Sequence, residues 1–393
     1  MNHFYFIILT LLLFSCTSKY QKVKPLPHIV IDMPQGVGWE EKDSCSILYI
    51  SSNFDTLHLK GGIKCRGGLS SAYGKHNYSL ELNDKFELCG LPKEDDWILH
   101  ANYIDKTFMR HKLSYDLFRQ MSVNNIAPQS TFLTVSYNGE FHGLYTAIQR
   151  VNRSLIGAKK GDTCAFLFKE PEVFYNHQND SIVRTGNYNF QKYPKFHKAN
   201  KNVLLDELNH FLFHSSAEVF IQNIDKYFDL NNLMDWHLLL LVTNNSDGIM
   251  KNFYCYGLND GLGVRIVPWD YDHSFGRDGN GDRNDLDRNA DPERAIVIKR
   301  LMSIGGDNTY VHQLEKRYKA LRSSGVFSSE NLTKKVKVME KQIRPYIQSN
   351  FERWPVDGAY YIDSNDFEME LAILLDYFPK CFKMLDERFG YQP

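Results

Sequence analysis

The strings NNSDGIMKN at 244–252 and PWDYD at 268–272 decide how the fold of this chain is interpreted. A leucine-rich segment leads into the first string, and a mainly apolar segment that indicates a strand leads into the second. Binding groups usually lie where helices and strands end, and magnesium prefers carboxylate and amide oxygens as ligands. The two strings therefore predict a metal and phosphate site. The first string by itself is also typical of an ordinary turn.

The spacing inside the first string points to phosphoryl transfer. Asp247 and Asn252 are five positions apart, as are the Asp that orients the attacking hydroxyl and the Asn that holds magnesium in protein kinases. Asp270 follows a predicted strand, where kinases place a further metal-binding Asp. Such groups are needed because the charge on the moving phosphoryl group must be neutralised.

Length and composition indicate a globular chain, because 393 residues with 43% hydrophobic content are enough for sizeable cores. The 46 basic and 47 acidic residues nearly cancel, so no nucleic-acid partner is expected. The cysteines after Cys16 form no CxxC pair, and no histidine stands at metal spacing, which argues against zinc. Most of these cysteines are expected to be buried small hydrophobes, and the sequence leaves open whether any of them form disulfides.

Residues 1–16 predict an exported protein. Their apolar stretch of about ten residues is too short for a membrane-spanning helix and is typical of a secretion signal. The segment ends in LFSC, which resembles a bacterial lipobox and makes Cys16 the candidate lipidation site. Residues 17–27 are expected to form a tether. The prediction is a lipoprotein of the bacterial cell envelope with a lipid anchor as its only membrane contact; an ordinary signal peptide is the alternative.

The order of periodic segments predicts a β-rich first half and a mainly helical second half. Alternating apolar and polar residues from Val30 to about Leu82 indicate antiparallel strands, and Asn138–Gly139 is a favoured hairpin turn. A helix is expected from an Asp105 cap to Met121. After a polar connector at 171–202, a helix capped by Asp229 is expected to be fully buried.

Several strings, in order over about residues 60–390, resemble the CotH kinase family. They are RGGLSSAYGKHNYSLEL from Arg66, WILHANYIDKTFMRHKLSYDL, YNGEFHGLY, NNSDGIMKNFYCY and PWDYDHSFG. The resemblance implies an α+β, atypical protein-kinase-like two-lobed fold. Its β-rich N-lobe would span 28–175 and its mainly helical C-lobe 200–390, within one domain at 28–390.

The resemblance also implies site residues. Asp247 would be the catalytic acid, and the metal ligands would be Asn252, Asp270 and Asp272. The nucleotide-binding residues would be Arg66, Gly67, Ser70, Ser71 and Lys75. Two alternatives stay open, because Lys75 could be a solvated strand lysine and Arg66 a structural ion-pair partner.

The chain departs from the family pattern at Gln149, where the family often has Glu. If that Glu pairs with the lysine in relatives, Gln149 would weaken the placement of Lys75 and lower activity. Further along, the acidic and amide residues Asp278, Asn280, Asp282 and Asn284 alternate as in a calcium loop. The calcium pattern is incomplete, with Arg283 and Asn289 at its sixth and twelfth positions, so a polar loop is the alternative.

The sequence therefore predicts an exported kinase that uses ATP and Mg²⁺ to phosphorylate Ser or Thr hydroxyls of an envelope or surface protein. One alternative is a non-catalytic envelope or surface assembly scaffold with a pseudokinase-like fold. Another is a calcium-dependent glycan-binding module, suggested by the 14% aromatic content and the loop at 278–284.

Overall fold

The computed structural model describes residues 24–33, 36–171, 174–175, 191–195, 198–278, 282–305, 309–355 and 365–392. The predicted signal segment, Cys16 and most of the predicted tether and connector lie outside these residues. So does Asn280 of the calcium-like loop. No helix in the described ranges is both long enough and apolar enough to span a membrane.

The first part of the chain forms a closed barrel in the order β1-β2-β3-β4-β5-β7-β6. Its strands are β1 (His28–Asp32), β2 (Asp43–Ile50), β3 (Thr56–Arg66), β4 (Asn77–Phe86), β5 (Glu94–His100), β6 (Ser130–Tyr137) and β7 (Glu140–Gln149). Neighbours are antiparallel, except that β1 closes the barrel by pairing with β6 in parallel. Side chains alternate between the two faces of a strand, so residues such as Ile63, Leu80 and Leu99 fill the barrel interior.

The second part is mainly helical and surrounds a small sheet. The sheet has the order β11-β10-β8-β9, with β8 (Phe166–Lys169), β9 (Gln191–Tyr193), β10 (Phe253–Gly257) and β11 (Arg265–Pro268). The helices are α1 (Arg110–Met121), α2 (Asn202–His214), α3 (Ala217–Tyr227), α4 (Leu230–Thr243), α5 (Asp247–Met250), α6 (Ile296–Met302), α7 (Tyr310–Ser323), α8 (Ser329–Arg353) and α9 (Phe367–Phe389). This arrangement confirms the predicted α+β class.

Helix α1 connects the two parts. It follows β5 in the chain but packs against α4 and α8 of the helical part. Its buried face belongs to the larger of the two cores, with Leu113, Leu117 and Met121 on the predicted stripe. Because α1 lies between the barrel and the helices, its N-terminal half can present side chains to the junction of the two parts.

Several local predictions agree with the structure. Asn138 and Gly139 both have positive φ, at 47° and 84°, as the predicted hairpin turn requires. The side chain of Asp229 accepts hydrogen bonds from the first turn of α4, and α4 is buried on all sides from Asn232 to its end. The described cysteines are unpaired, and most of them are buried as expected.

Other boundaries differ from the prediction. Helix α1 begins at Arg110 rather than at Asp105, because residues 105–109 form a turn in which Asp105 accepts the N–H of Arg110 at 2.9 Å. The apolar-rich segment at 203–224 is divided into two helices at Ser215 and Ser216, where the Ser216 side chain caps α3. Strand β8 pairs with β10 of the second sheet, so the change of sheet comes after Gln149. The predicted lobe boundary at 175–200 stays a prediction.

Candidate functional site

A cavity of about 260 Å³ lies where the barrel meets the helical part. The barrel end contributes Gly68, Leu69, Ser70, Tyr73, Asn77, His100, Tyr103 and Ile104. The helical part contributes Asp247, Lys251, Asn252, Asp270, Asp272 and His273. The barrel side is thus neutral apart from the titratable His100 ring, whereas the opposite side carries three carboxylates and one ammonium group.

Asp270 is held in an unusual backbone conformation at the end of β11. Its φ of 58° lies in the left-handed region, which costs free energy for a residue with a side chain. Helix α1 compensates for this strain, because the Asp270 N–H donates to Tyr115 Oη at 3.1 Å and the Tyr271 N–H donates to His111 Nδ1 at 3.0 Å. These bonds fix the backbone on both sides of the Asp270 Cα and direct its carboxylate to the cavity.

Strand register brings Asn252 next to this segment. β10 and β11 are antiparallel, with Phe253 opposite Pro268, so Asn252 and Trp269 are adjacent beyond the ladder. The Trp269 N–H donates to the Asn252 carbonyl at 2.9 Å, and the Asn252 N–H donates to Glu170 Oε1 at 3.1 Å. Asn252 also has positive φ, at 64°. Asn252 and Asp270, two of the three predicted metal ligands, therefore lie at neighbouring strand ends.

Asp247 begins the short helix α5 and pairs with a lysine. Its Oδ2 lies 2.9 Å from Lys251 Nζ, and both side chains are partly exposed, at 27% and 38%. Gly248 packs tightly behind Asp247, because a Cβ there would lie 3.0–3.1 Å from Leu240, Asn245 and Tyr271 side chains. The glycine that makes this string look like an ordinary turn thus permits the close packing of α5 on α4.

The two carboxylates after β11 respond differently to their surroundings. Burial, followed by the neighbouring charge of Asp270, raises the pKa of Asp272. Burial also opposes ionisation of Asp270, but His111 and His100, with Lys169 and Arg66, lower its pKa overall. Although protein surrounds it on most sides, the Asp270 side chain keeps 43% of its surface open. Two adjacent carboxylates facing a cavity are a favourable place for a cation.

The residues present suit a divalent metal. His100, His111, Asp270 and Asp272 each offer one donor atom, and these atoms all lie within 4.8 Å of one another. Burial lowers the pKa of His100 to about 4 and also lowers that of His111, so burial favours the unprotonated rings that a metal requires. Neutral imidazole and carboxylate groups are established ligands of divalent ions. The side chain of Asn252 lines the same cavity and adds an amide oxygen.

The predicted phosphate loop lies at the barrel end of the cavity. Gly67 has φ of 146°, and a Cβ at this position would lie 2.3 Å from Ser70 Oγ, so the turn requires glycine. Ser70 lines the cavity, whereas the Ser71 hydroxyl donates to the Gly68 carbonyl at 2.7 Å. The Arg66 guanidinium lies 5.7 Å from the Trp269 ring centroid, beside the segment that carries Asp270. Arg66, Gly67 and Ser71 adjoin the cavity lining without being part of it.

Lys75 does not reach the cavity. Its side chain is buried, and its ammonium group donates to the carbonyls of Ala101 and Leu144 and to Asn350 Oδ1 on α8. Burial lowers the pKa of Lys75, while three oxygen acceptors match the three N–H groups of its protonated form. The structure therefore gives no geometric support to a phosphate-binding Lys75, and it also contradicts the alternative of a solvated strand lysine.

The family comparison agrees with the order of the motifs. The model of the family described as CotH kinase protein matches residues 63–380. The chain belongs to this family. It is similar to the inner spore coat protein H of Bacillus subtilis (strain 168), with 24% identity over 281 residues that cover 71% of this chain and 74% of the relative. A solved structure, the proinflammatory kinase CtkA of Helicobacter pylori, is similar over 83% of this chain and 96% of its own, with 8% identity and a TM-score of 0.33.

Within this member of the CotH kinase protein family, the structure brings the predicted catalytic acid and the predicted metal ligands together. Asp247, Asn252, Asp270 and Asp272 all line the cavity, and so does Ser70. Gln149, the departure from the family pattern, is buried at the end of β7, and its Oε1 accepts the Gln129 N–H at 3.4 Å. Lys75 donates to other acceptors, so Gln149 does not act as its substitute partner.

Sequence reasoning missed the histidines and Lys251. His100 and His111 are eleven positions apart and far from Asp270 in the chain, which matches no local metal-ligand spacing. Both histidines belong to the string WILHANYIDKTFMRHKLSYDL, which runs from β5 into α1. Because this string is one of those that resemble the family, it was the available signal. Lys251 is adjacent to Asn252, and its position next to a predicted ligand could have suggested a role at the site.

The calcium-like loop has another arrangement in its described residues. The Arg288 guanidinium lies 2.7 Å from Asp278 Oδ2 and 3.8 Å from Asp282 Oδ2. The side-chain amide of Asn284 donates to the Arg288 carbonyl at 2.8 Å. A guanidinium group in this position compensates the carboxylates that calcium would need, which favours the alternative of a polar loop.

Proposed function

We propose that the chain is an exported kinase that uses ATP and magnesium to phosphorylate Ser or Thr hydroxyls of an envelope or surface protein. The barrel and the helical part would be the two lobes of an atypical kinase fold, with the cavity between them. Cys16 would carry the lipid that anchors the protein to a bacterial membrane. Membership of the CotH kinase protein family supports kinase chemistry in general, and the remaining details belong to the proposal.

One observation carries the proposal: the carboxylates of Asp247, Asp270 and Asp272 and the amide of Asn252 line one cavity, opposite a Ser- and Gly-containing turn. Phosphoryl transfer depends on positioning and on neutralising charge, and it needs few covalent contributions from the protein. A group of carboxylates at a strand end suits the metal, and a neutral glycine-containing turn suits phosphate oxygens.

The residues of the chain divide the work as follows. Asp247 lies at the edge of the cavity and would orient the acceptor hydroxyl and take its proton. Lys251 holds the Asp247 carboxylate at 2.9 Å and is exposed enough to contact a phosphate as well. Asn252 and Asp270, with Asp272, would hold the metal, which supplies neutralising charge when bound. Tyr115 and His111 keep the Asp270 backbone in place.

A non-catalytic scaffold is the second candidate, and two observations favour it. Among the described residues lining the cavity, no lysine comes from the barrel, because Lys75 is bound to backbone and amide oxygens. The cavity volume of about 260 Å³ is also below the range of about 300–1,000 Å³ that is usual for small-molecule sites. A scaffold of this kind would keep the fold and lack magnesium-dependent nucleotide binding.

Labelled ATP distinguishes the two candidates. Protein lacking residues 1–16 is incubated with labelled ATP, magnesium and an envelope fraction of the producing organism. Transfer is expected for the unaltered protein and should fall by at least about 100-fold in Asp247→Ala and Asp270→Ala, because each removes a group needed in the transition state. Asp285→Ala is the matched control, since Asp285 forms an exposed ion pair with Arg283 away from the cavity lining.

Calorimetry with ATP completes this test. A kinase should bind ATP more tightly with magnesium than without it, and Asp270→Ala should remove this difference. Equal transfer by the unaltered protein and Asp270→Ala would contradict the proposed chemistry. Absence of magnesium-dependent ATP binding in the unaltered protein would favour the scaffold.

A further inference from the structure

Two histidines face the same pair of carboxylates, but the contacts of their Nδ1 atoms differ. The rings of His100 and His111 are 4.3 Å apart in an edge-to-face arrangement. A neutral imidazole has one N–H donor and one nitrogen lone pair, and only the lone pair can bind a metal. The partners at Nδ1 therefore decide what each Nε2 can do.

His111 has its lone pair at Nδ1. The Tyr271 N–H donates to this nitrogen at 3.0 Å, and Tyr115 Oη, which accepts the Asp270 N–H, lies 3.4 Å from it and can donate its own hydrogen. The proton of the neutral ring is therefore on Nε2. That nitrogen is buried, has no hydrogen-bond partner among the described residues, and lies 3.6 Å from Asp270 Oδ1. His111 thus turns an N–H toward Asp270, at a distance longer than a hydrogen bond, and has no lone pair at Nε2 for a metal.

His100 differs from His111, because its Nδ1 contacts an acceptor as well as a donor. Its Nδ1 lies 3.1 Å from Asn102 Oδ1 and 3.1 Å from the Asn102 N–H. The side-chain amide of Asn102 is oriented by its Nδ2, which donates to the His100 carbonyl at 3.3 Å and to Thr146 Oγ1 at 2.8 Å. The Asn102 N–H can donate to a lone pair on Nδ1, and Asn102 Oδ1 can accept from an Nδ1–H, so these contacts suit either tautomer of His100. In the Nδ1–H tautomer, Nε2 has the lone pair that a metal needs, and His100 lines the cavity.

We propose that His100 is a nitrogen ligand of the metal that Asp270 and Asp272 hold, and that His111 is a positioning residue whose Nε2–H faces Asp270. The inference rests on the metal site of the proposed function and extends it by a ligand. His100 ends β5 and is supported through Asn102 by Thr146 on β7. Metal-ligating histidines usually donate their second nitrogen to an oxygen in this way. The barrel thereby supplies a ligand of its own to acids carried by the helical part.

A mixed donor set has a consequence for metal choice. Magnesium prefers oxygen ligands, whereas imidazole suits transition metals. A site with one imidazole and two carboxylates should accept Mn²⁺ readily, and its affinity for Mn²⁺ should depend on His100 more than its affinity for Mg²⁺ does. Mn²⁺ is also paramagnetic and reports directly on nitrogen atoms bound to it.

The experiment compares two matched variants, His100→Asn and His111→Asn, by electron spin echo spectroscopy of bound Mn²⁺. Asparagine retains a polar atom near the Nδ1 position, which can bond Asn102 or the Tyr271 N–H, and it removes Nε2 from either residue. The unaltered protein and His111→Asn should show coupling of Mn²⁺ to ¹⁴N, and His100→Asn should show none. Mn²⁺ affinity, measured by calorimetry, should fall about tenfold in His111→Asn, as for a residue that supports a ligand, and further in His100→Asn.

The outcomes separate this inference from the proposed function. Bound Mn²⁺ without nitrogen coupling in the unaltered protein, or with coupling retained in His100→Asn, overturns the role of His100 and leaves the acidic metal site intact. Coupling lost in His111→Asn and retained in His100→Asn exchanges the two roles and also overturns the proposal. If no Mn²⁺ binds to the unaltered protein, the metal site of the proposed function fails together with it. Circular dichroism melting of both variants confirms that the compared proteins are folded.

Discussion

Two buried groups of charged side chains connect α1 to the helical part, and they differ in charge balance. In the first group, Arg110 bonds Asp105 at 2.6 Å and Glu370 at 3.2 Å, and Arg277 also bonds Glu370. All four side chains are 0–1% exposed, and two guanidinium groups compensate two carboxylates. The Arg110 Nε also donates to the Ser274 carbonyl at 2.9 Å, which fixes the segment after PWDYD.

The second group, at the cavity, lacks this balance. Asp270 and Asp272 face His100 and His111, whose pKa values are lowered by burial, so this group lacks the two guanidinium groups that balance the first. Asp270 is partly exposed, whereas the paired acids of the first group are not. Carboxylates at one junction thus have two roles. Those that pair with arginines hold the structure together, whereas those without such partners are candidate ligands for a cation.

The largest effect should follow from breaking the balanced group. Glu370→Gln leaves the buried guanidinium groups of Arg110 and Arg277 without a full countercharge, which should lower the free energy of unfolding by about 3–5 kcal/mol. Urea unfolding measures the difference. Glu368→Gln is the matched control on the same helix, because Glu368 is 61% exposed and pairs with Arg344 at the surface; it should cost less than about 1 kcal/mol. Equal effects would contradict the distinction.

As the pH is lowered, the exclusion of a proton from a buried histidine should reduce the free energy of unfolding before protonation of the balanced group does. Burial, with the positive charge of Arg388, lowers the pKa of His237 to about 3. Between this value and about 6.5, the unfolded chain binds a proton at His237 that the folded chain excludes. The contribution of His237 to the free energy of unfolding is therefore fully present above about pH 6.5 and decreases as the pH is lowered.

His237→Asn tests this contribution. The His237 ring bonds Tyr310 Oη through Nδ1, and asparagine retains an acceptor near that position. The variant should be less stable at pH 7 through lost packing, but the deficit should shrink by about 2 kcal/mol at pH 5. The measurement is urea unfolding of both proteins at the two pH values. A deficit that does not change with pH would refute the lowered pKa. The pKa of Glu370 is also lowered despite its burial, chiefly by Arg110 and Arg277, so its contribution persists to lower pH.

A third test compares a buried structural lysine, Lys75, with a lysine that lines the cavity, Lys251. Lys75→Met removes three buried hydrogen bonds to oxygen acceptors, which should cost about 1–3 kcal/mol of stability. It should leave ATP affinity within about twofold, because Lys75 lies outside the cavity lining. Lys251→Met should lower ATP affinity and leave stability nearly unchanged, because Lys251 is 38% exposed at the cavity. A large loss of ATP affinity in Lys75→Met, with stability unchanged, would restore the predicted phosphate role of Lys75.

The smallest effect should come from removing one charge of the unbalanced group. Asp272→Asn relieves repulsion with Asp270, so the metal-free protein should be as stable as before or more stable by up to about 1 kcal/mol. Unfolding in the presence of a chelator measures this. Stabilisation by added Mn²⁺ should decrease in the same variant, since a ligand is lost. A large loss of stability without metal would make Asp272 a structural residue.

The sequence determined the fold class and the acidic side of the cavity. Alternating strands, the Asn138–Gly139 turn and the Asp229 cap depend on local conformational preferences, which act over a few residues. The five-residue spacing of Asp247 and Asn252, and the position of Asp270 after an apolar strand, were also local signals. The register of β10 with β11 then makes Asn252 a neighbour of the segment that carries Asp270.

Only the tertiary structure decided what the barrel contributes. Barrel closure and the path of α1 bring His100 and His111 to Asp270, although more than 150 residues separate them in the chain. The same closure surrounds Lys75 with oxygens from β7 and α8, so a lysine in a phosphate-like motif became a structural one. Hydrogen bonds between distant segments set the tautomer of His111 and the partners of Arg110 and Arg277. Local sequence patterns do not contain these contacts, because they arise from the packing of whole elements.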